Sequence, residues 1–224
     1  MFRTSAVTYL IAFSFFIGGS SFAQTSKFEG TDVHASLGYQ SLSPKLTNIN
    51  VPGTTGLTFP IEKSTSYPLT FGAGFTKALD DKYTLGASYD VSTKSKTSKG
   101  ELYTNGAISA GDGGYTGFKN MQQFSVIPGV LTDKDTLMYG KIGYFTGKTY
   151  GTNDDNSAFN SIKETGYAFG IGGKKFIDQN TFGFAEINSL RFKNKNRTDP
   201  TNSTVTYTSG GSGYNINIGL GYKF

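Results

Sequence analysis

The segment Tyr214–Phe224, YNINIGLGYKF, constrains the fold more than any other part of the chain. Every even position is apolar or aromatic, and every odd position is Asn, Gly or Lys. Successive side chains of a strand point to opposite faces, so this segment predicts a strand with one apolar face rimmed by aromatics and one small, polar face. At roughly 10 residues it matches a tilted membrane-spanning strand. A soluble strand with one buried face shows the same alternation, so the assignment needs support from the rest of the chain.

That support comes from seven further segments with the same period. Val33, Ala35, Leu37 and Tyr39 form one face. Tyr67, Leu69, Phe71, Ala73 and Phe75 form a second, and Tyr83, Leu85, Ala87, Tyr89 and Val91 a third. Phe124, Val126, Pro128 and Val130 follow, then Met138, Gly140, Ile142 and Tyr144, then Tyr167, Phe169 and Ile171. Gly183, Ala185 and Ile187, extended to Leu190, give the weakest face. A one-residue slip would exchange the two faces in these last two segments.

The connections sort into two classes that alternate. Asp80-Asp81-Lys82, Asp133-Lys134-Asp135 and Asp178-Gln179-Asn180 are short and polar. The segments 43–66, 92–119, 148–163 and 193–213 are long. Short turns at one end and long loops at the other predict an all-β fold: a closed antiparallel eight-stranded transmembrane β-barrel with short periplasmic turns and long extracellular loops. Closure is required because lipid offers no partner for the N–H and C=O groups of an open sheet edge. Within the second loop, Leu102–Thr104, Asn105-Gly106 and Ala107–Ser109 read as a hairpin. The glycine-rich stretch 111–117 (GDGGYTG) lacks the lysine and the helix of a phosphate-binding loop and reads as a flexible connection.

Composition agrees. Of 224 residues only 36% are hydrophobic, yet 15% are aromatic. A barrel wall needs apolar residues only at alternate positions. The absence of cysteine excludes a disulfide framework and a thiolate metal site. The formal charge of +5 is read as a mildly basic surface, not as a nucleic-acid interface. Residues 1–23 read as a signal peptide: Arg3 is followed by the apolar run Ala6–Ile17 and by Ser21-Phe22-Ala23, a small-x-small cleavage site. The run is too short to span a bilayer comfortably, and residues 24–224 form the barrel domain.

On the signal peptide, the four strand pairs and the terminal Gly219-Leu220-Gly221-Tyr222-Lys223-Phe224, the chain resembles the eight-stranded OmpA-like and opacity-type outer-membrane proteins. The resemblance implies the outer membrane of a Gram-negative bacterium. It also implies lipid and lipopolysaccharide as surroundings, and an end, with Tyr222 and Phe224, that is read by the barrel-assembly machinery. The chain stops at Phe224, without the soluble wall-binding domain of full-length OmpA proteins, so no wall-anchoring role is carried over.

An eight-stranded barrel is just wide enough for side chains to fill, which predicts a lumen packed with polar groups. The strand phases point Tyr139, Lys141, Lys174, Glu186 and Asn188 inward. Buried charges must be paired, so Glu186 is expected to pair with Lys141 or Lys174. Such a pair is structural, or it gates small solutes in a porin-like channel; the narrow lumen favours the first. His34, the sole histidine, precedes Ser36 by two residues. That spacing resembles the outer-membrane lipid A deacylases, but both side chains are predicted to face the lumen, away from lipid, so no catalytic residue and no enzyme are expected. No metal site or cofactor is read: Asn153 to Asn156 carries adjacent Asp154 and Asp155 but no spaced ligand set. Lys94, Lys96 and Lys99, with Lys193, Lys195 and Arg197, are candidate contacts for lipopolysaccharide phosphates. The loops are the candidate surface for an extracellular ligand that the sequence does not identify.

Overall fold

A computed structural model describes residues 26–93, 97–104, 107–153, 161–198 and 203–224. The signal-peptide reading of residues 1–23 therefore falls outside the described residues.

Eight strands form the wall: β1 (Gly30–Asn50), β2 (Leu69–Ala78), β3 (Tyr83–Ser92), β4 (Ala107–Asp133), β5 (Thr136–Asn153), β6 (Lys163–Phe176), β7 (Thr181–Thr198) and β8 (Thr206–Lys223). Each pairs antiparallel with its chain neighbours, and β8 pairs back onto β1 from Asp32↔Lys223 to Asn50↔Thr206, closing the ring. Three short strands lie outside the ring. Leu57–Thr58 pairs with Ser98–Thr104, Ser64–Ser66 lies on β1, and Ser98–Thr104 pairs with β4 through Thr104↔Ala107. The arms of the Leu102–Ser109 hairpin thus meet in register; Asn105 and Gly106 lie outside the described residues. No helix among the described residues is long and apolar enough to cross a membrane.

The three short connections share one local device. Asp80 Oδ1 accepts from the amides of Lys82 (2.8 Å) and Tyr83 (2.7 Å). Asp178 Oδ1 does the same for Asn180 (2.9 Å) and Thr181 (2.7 Å), and Asp133 for Asp135 (2.8 Å). A carboxylate that folds back onto backbone amides mimics a turn's own hydrogen bond, so an Asp opens each hairpin. These amides hold the three carboxyls below the usual carboxylate range.

The long loops are shorter than the alternation predicts, because the strands continue into them. β2 and β3 have 10 residues each, enough for one tilted crossing, whereas β4 has 27 and β8 has 18. With about 3.3 Å of rise per residue, the excess stands above the bilayer at the end opposite the Asp turns. Gly111–Gly117 is part of β4, not a flexible loop, and its backbone pairs with Ser98–Glu101 and with β5. Bulges at Asn48, Asn120 and between Phe192 and Lys195 interrupt the register in this extension, and Asn48 and Asn120 adopt positive φ (51° and 53°). The bulge at Asn120 inverts the strand's phase, so that Phe118 and Met121 both point inward. Residue counting alone cannot carry a face across such an insertion.

The exterior is apolar over the membrane-spanning stretch. Leu37, Phe71, Ile142, Phe169, Ile171, Ile218 and Leu220 are all more than half exposed. Tyrosines gather toward the loop side, as in the Tyr39–Tyr67 and Tyr144–Tyr167 ring pairs (5.7 and 5.8 Å). A contiguous apolar band of this kind needs a lipid surround.

Candidate functional site

The lumen is filled in three layers. At the turn end, Phe28, Leu137, Tyr139, Phe176 and Phe182 form an apolar cluster with Phe184 packed against it. Phe28 belongs to the segment that precedes β1, and its ring lies 4.7 Å from that of Phe176. Lys27 beside it anchors the segment, bonding Asp135 (2.8 Å) and the Asp178 carbonyl (3.0 Å). At the loop end, Leu42, Phe118, Met121, Phe145, Ala168, Leu190 and Phe192 form a second cluster.

A charged layer lies between the two clusters. Lys141 Nζ on β5 reaches Glu186 of β7 (3.1 and 3.2 Å) and Asp90 of β3 (3.2 Å). Tyr139 donates to Glu186 (3.1 Å), as do the amides of Asn188 (2.9 Å) and Asn217 (3.1 Å). Lys174 does not reach Glu186; it bonds Asp32 of β1 (3.3 Å) and lies over the Phe182 ring. His34 joins the halves: Nδ1 lies 3.0 Å from Asp32 and Nε2 2.8 Å from Asp90. An ionised carboxylate only accepts, so this geometry is complete when both ring nitrogens carry hydrogen. Three carboxylates then face two ammonium groups and one imidazolium. Free space in this layer is about 20 Å³, room for about one water. Gly72 of β2 makes the layer sterically feasible, since a Cβ there would overlap both His34 and Asp90.

Two sequence readings need correction here. The alternation extended to Leu190 puts it on the outer face of β7, but it points inward with Glu186 and Asn188 and is fully buried. The lumen is also not polar throughout. Phe182 and Phe184 share the inner face of β7 with Glu186, while Gly183 and Ala185 face out, so the two faces differ little in hydropathy and the alternation looks weak. Gly219 and Gly221 of β8 make room for these aromatics, not for polar groups: a Cβ at either would overlap the Phe184 or Phe182 ring. The His34–Asp32–Asp90 bridge escaped sequence reasoning because its three residues come from two strands. The inward parity of Asp32 and Asp90 was its only sequence signal. Ser36 is buried, and both nitrogens of His34 are engaged by carboxylates.

The loop cations are placed differently from one another. Arg197 turns toward Glu164 (3.1 Å) and the Lys163 carbonyl (2.8 Å), and Lys195 toward the same carbonyl (3.3 Å). Lys99 pairs with Glu101. Lys193 lies on the outer wall, its Nζ 5.1 Å from the Tyr167 ring and 5.9 Å from the Tyr144 ring. Lys94, Lys96, Asp154, Asp155 and Asn156 lie outside the described residues. Tyr222 and Phe224 face outward with their rings 5.3 Å apart, and the Phe224 amide donates to the Thr31 carbonyl (3.0 Å), completing the seam with β1. Among the described residues no group of three or more His, Cys, Asp or Glu is arranged to hold a metal ion.

Solved structures share this architecture. The outer membrane protein OprG of Pseudomonas aeruginosa superposes with a TM-score of 0.53 at 14% identity, over 90% of this chain and 99% of that one. The outer membrane protease OmpT of Escherichia coli gives 0.51 at 14%, over 91% and 99%. The outer membrane protein AlkL gives 0.50 at 14%, over 93% and 97%. The fold is that of the outer-membrane β-barrels. No family model and no curated protein matches the sequence. At this identity the likeness concerns the fold alone.

Proposed function

We propose that this barrel is a closed structural element of the Gram-negative outer membrane that meets its surroundings through the extended hairpins. The observation that carries the reading is the pair of apolar clusters above and below the charged layer. A conducting lumen needs continuous water, and aromatic and aliphatic side chains block it at both ends. The inward-facing, doubly engaged His34 supports a non-enzymatic role, because a general base must be free to reach a nucleophile and a substrate. Outer-membrane lipid and lipopolysaccharide are the proposed partners of the wall. The hairpins are the proposed surface for an extracellular ligand, and the Tyr222–Phe224 end is the proposed mark for the barrel-assembly machinery.

The alternative is a narrow solute channel. The observation favouring it is the charged layer, where Lys141 is shared between Asp90 and Glu186 and could exchange partners. Planar-bilayer recording on the refolded protein separates the two readings. The expected result is a baseline without discrete steps for both the wild type and Glu186→Gln. Reproducible steps in the wild type that change in Glu186→Gln would establish the channel instead.

A further inference from the structure

One side of the outer wall carries a row of cations that the lumen does not use. In register, Lys119 of β4 stands opposite Lys148 of β5, and Lys148 stands opposite Lys163 of β6. Paired residues of neighbouring strands share a face, so all three lie on the outer wall. Arg191 and Lys193 of β7 lie beside them, exposed. Like charges directly opposite one another in a sheet repel, and among the described residues no carboxylate lies within ion-pair distance of any of the five.

The position of the row narrows the ligand. Lys148 and Lys163 are four residues above Tyr144 and Tyr167 on their strands, so the charges stand about 10 Å above the tyrosine belt once strand tilt is allowed for. Below that belt the same strands expose Ile142 and Phe169. The site therefore offers cations above and hydrocarbon below. The opposite wall does not repeat it: above the Tyr39–Tyr214 pair, β1 and β8 pair Ser43↔Ser212 and Lys45↔Gly210, with one cation among the four. Strands about 4.8 Å apart spread three lysines over about 10 Å, a span that suits two phosphates on one headgroup.

We infer that the outer wall of β4 to β7 binds a bis-phosphorylated amphiphile of the leaflet on the hairpin side, with its phosphates on Lys119, Lys148 and Lys163 and its acyl chains on the apolar band below. The ligand cancels the repulsion that the row builds into the sheet, and Arg191 and Lys193 close its lower edge. This inference rests on the membrane placement proposed above and names a different surface from the lumen.

The test measures binding of fluorescent bis-phosphoryl lipid A to the refolded protein in phosphatidylcholine nanodiscs. Replacing Lys119, Lys148 and Lys163 together by Gln should weaken binding tenfold or more. The control, Lys45→Gln with Lys77→Gln and Lys82→Gln, removes the same charge elsewhere and should change binding less than twofold. Equal losses in the two triple variants, or none in the first, would overturn the site. So would competition by phosphatidylglycerol or inorganic phosphate as strong as that by unlabelled lipid A. Heat-modifiable migration of every variant reports the barrel separately. A protein that inserts but fails to bind refutes this site alone, whereas failure to insert refutes the membrane placement as well.

Discussion

Replacing Lys141 by Met tests the charged layer most directly. The ammonium group is buried and shared, 3.1 Å from Glu186 and 3.2 Å from Asp90. Methionine keeps much of the volume of the stem and removes the charge, which leaves two carboxylates facing each other across the lumen. Among the described residues Glu186 loses its only cation, whereas Asp90 keeps His34 at 2.8 Å; removing one partner of a buried ion pair costs about 3–5 kcal/mol, so a loss of about 4 kcal/mol is expected. The Tyr139 hydroxyl and the Asn188 and Asn217 amides still donate to Glu186, and Ser88 to Asp90 (3.0 Å), which limits the loss. The compensated variant Lys141→Met with Glu186→Gln returns the layer to two carboxylates, Asp32 and Asp90, facing Lys174 and His34. It should recover more than half of the loss, because replacing both partners of a buried pair is often near neutral. Urea unfolding in lipid vesicles, followed by far-ultraviolet circular dichroism and by heat-modifiable migration, reads both quantities. A single variant within about 1 kcal/mol of the wild type, too small for an orphaned buried charge, would refute the reasoning. A double variant less stable than the single one would also refute it.

Two further outcomes are expected from the same assay. Phe28→Ala removes the ring that seals the turn end against Phe176 and should cost about 3 kcal/mol, with no conductance gained, because the Phe145–Leu190 cluster still closes the other end. Alanine at Asp80, Asp133 and Asp178 together should lower the urea midpoint at neutral pH. The carboxyls are held below their ordinary value by backbone amides in the fold, so their stabilisation is complete above the unfolded value and is lost as pH falls through the folded one. The gap between variant and wild type should therefore stay constant above about pH 5 and close in acid; a gap that persists below about pH 2 would contradict the turn mechanism.

Much of the wall was legible because its signal is local. The outward residues Tyr67–Phe75, Tyr83–Val91, Met138–Tyr144 and Tyr214–Phe224 alternate along single strands, and lipid rewards each exposed apolar side chain without reference to any other strand. Lys141 and Glu186 were legible as inward residues for the same reason. Their partners were not. Whether Lys174 meets Glu186 or Asp32 depends on the shear of the ring, which sets the height of each strand against its neighbours. The strand extensions were also hidden. Above the membrane the outer face meets water, so apolar residues no longer mark it, and the bulge at Asn120 shifts the phase of what pattern remains.

The sequence by itself thus determined the lipid-facing side of nearly every strand and the sorting of turns from loops, each a property of one segment in its solvent, and closure followed because lipid leaves the edges of an open sheet unpaired. Tertiary structure alone decided how the lumen is filled: two apolar clusters around a charge-matched layer, with Leu190, Phe182 and Phe184 inside. It also decided which lysines stand side by side on the outer wall. Both depend on register between strands distant in sequence, and register is a property of the closed ring, not of any one strand.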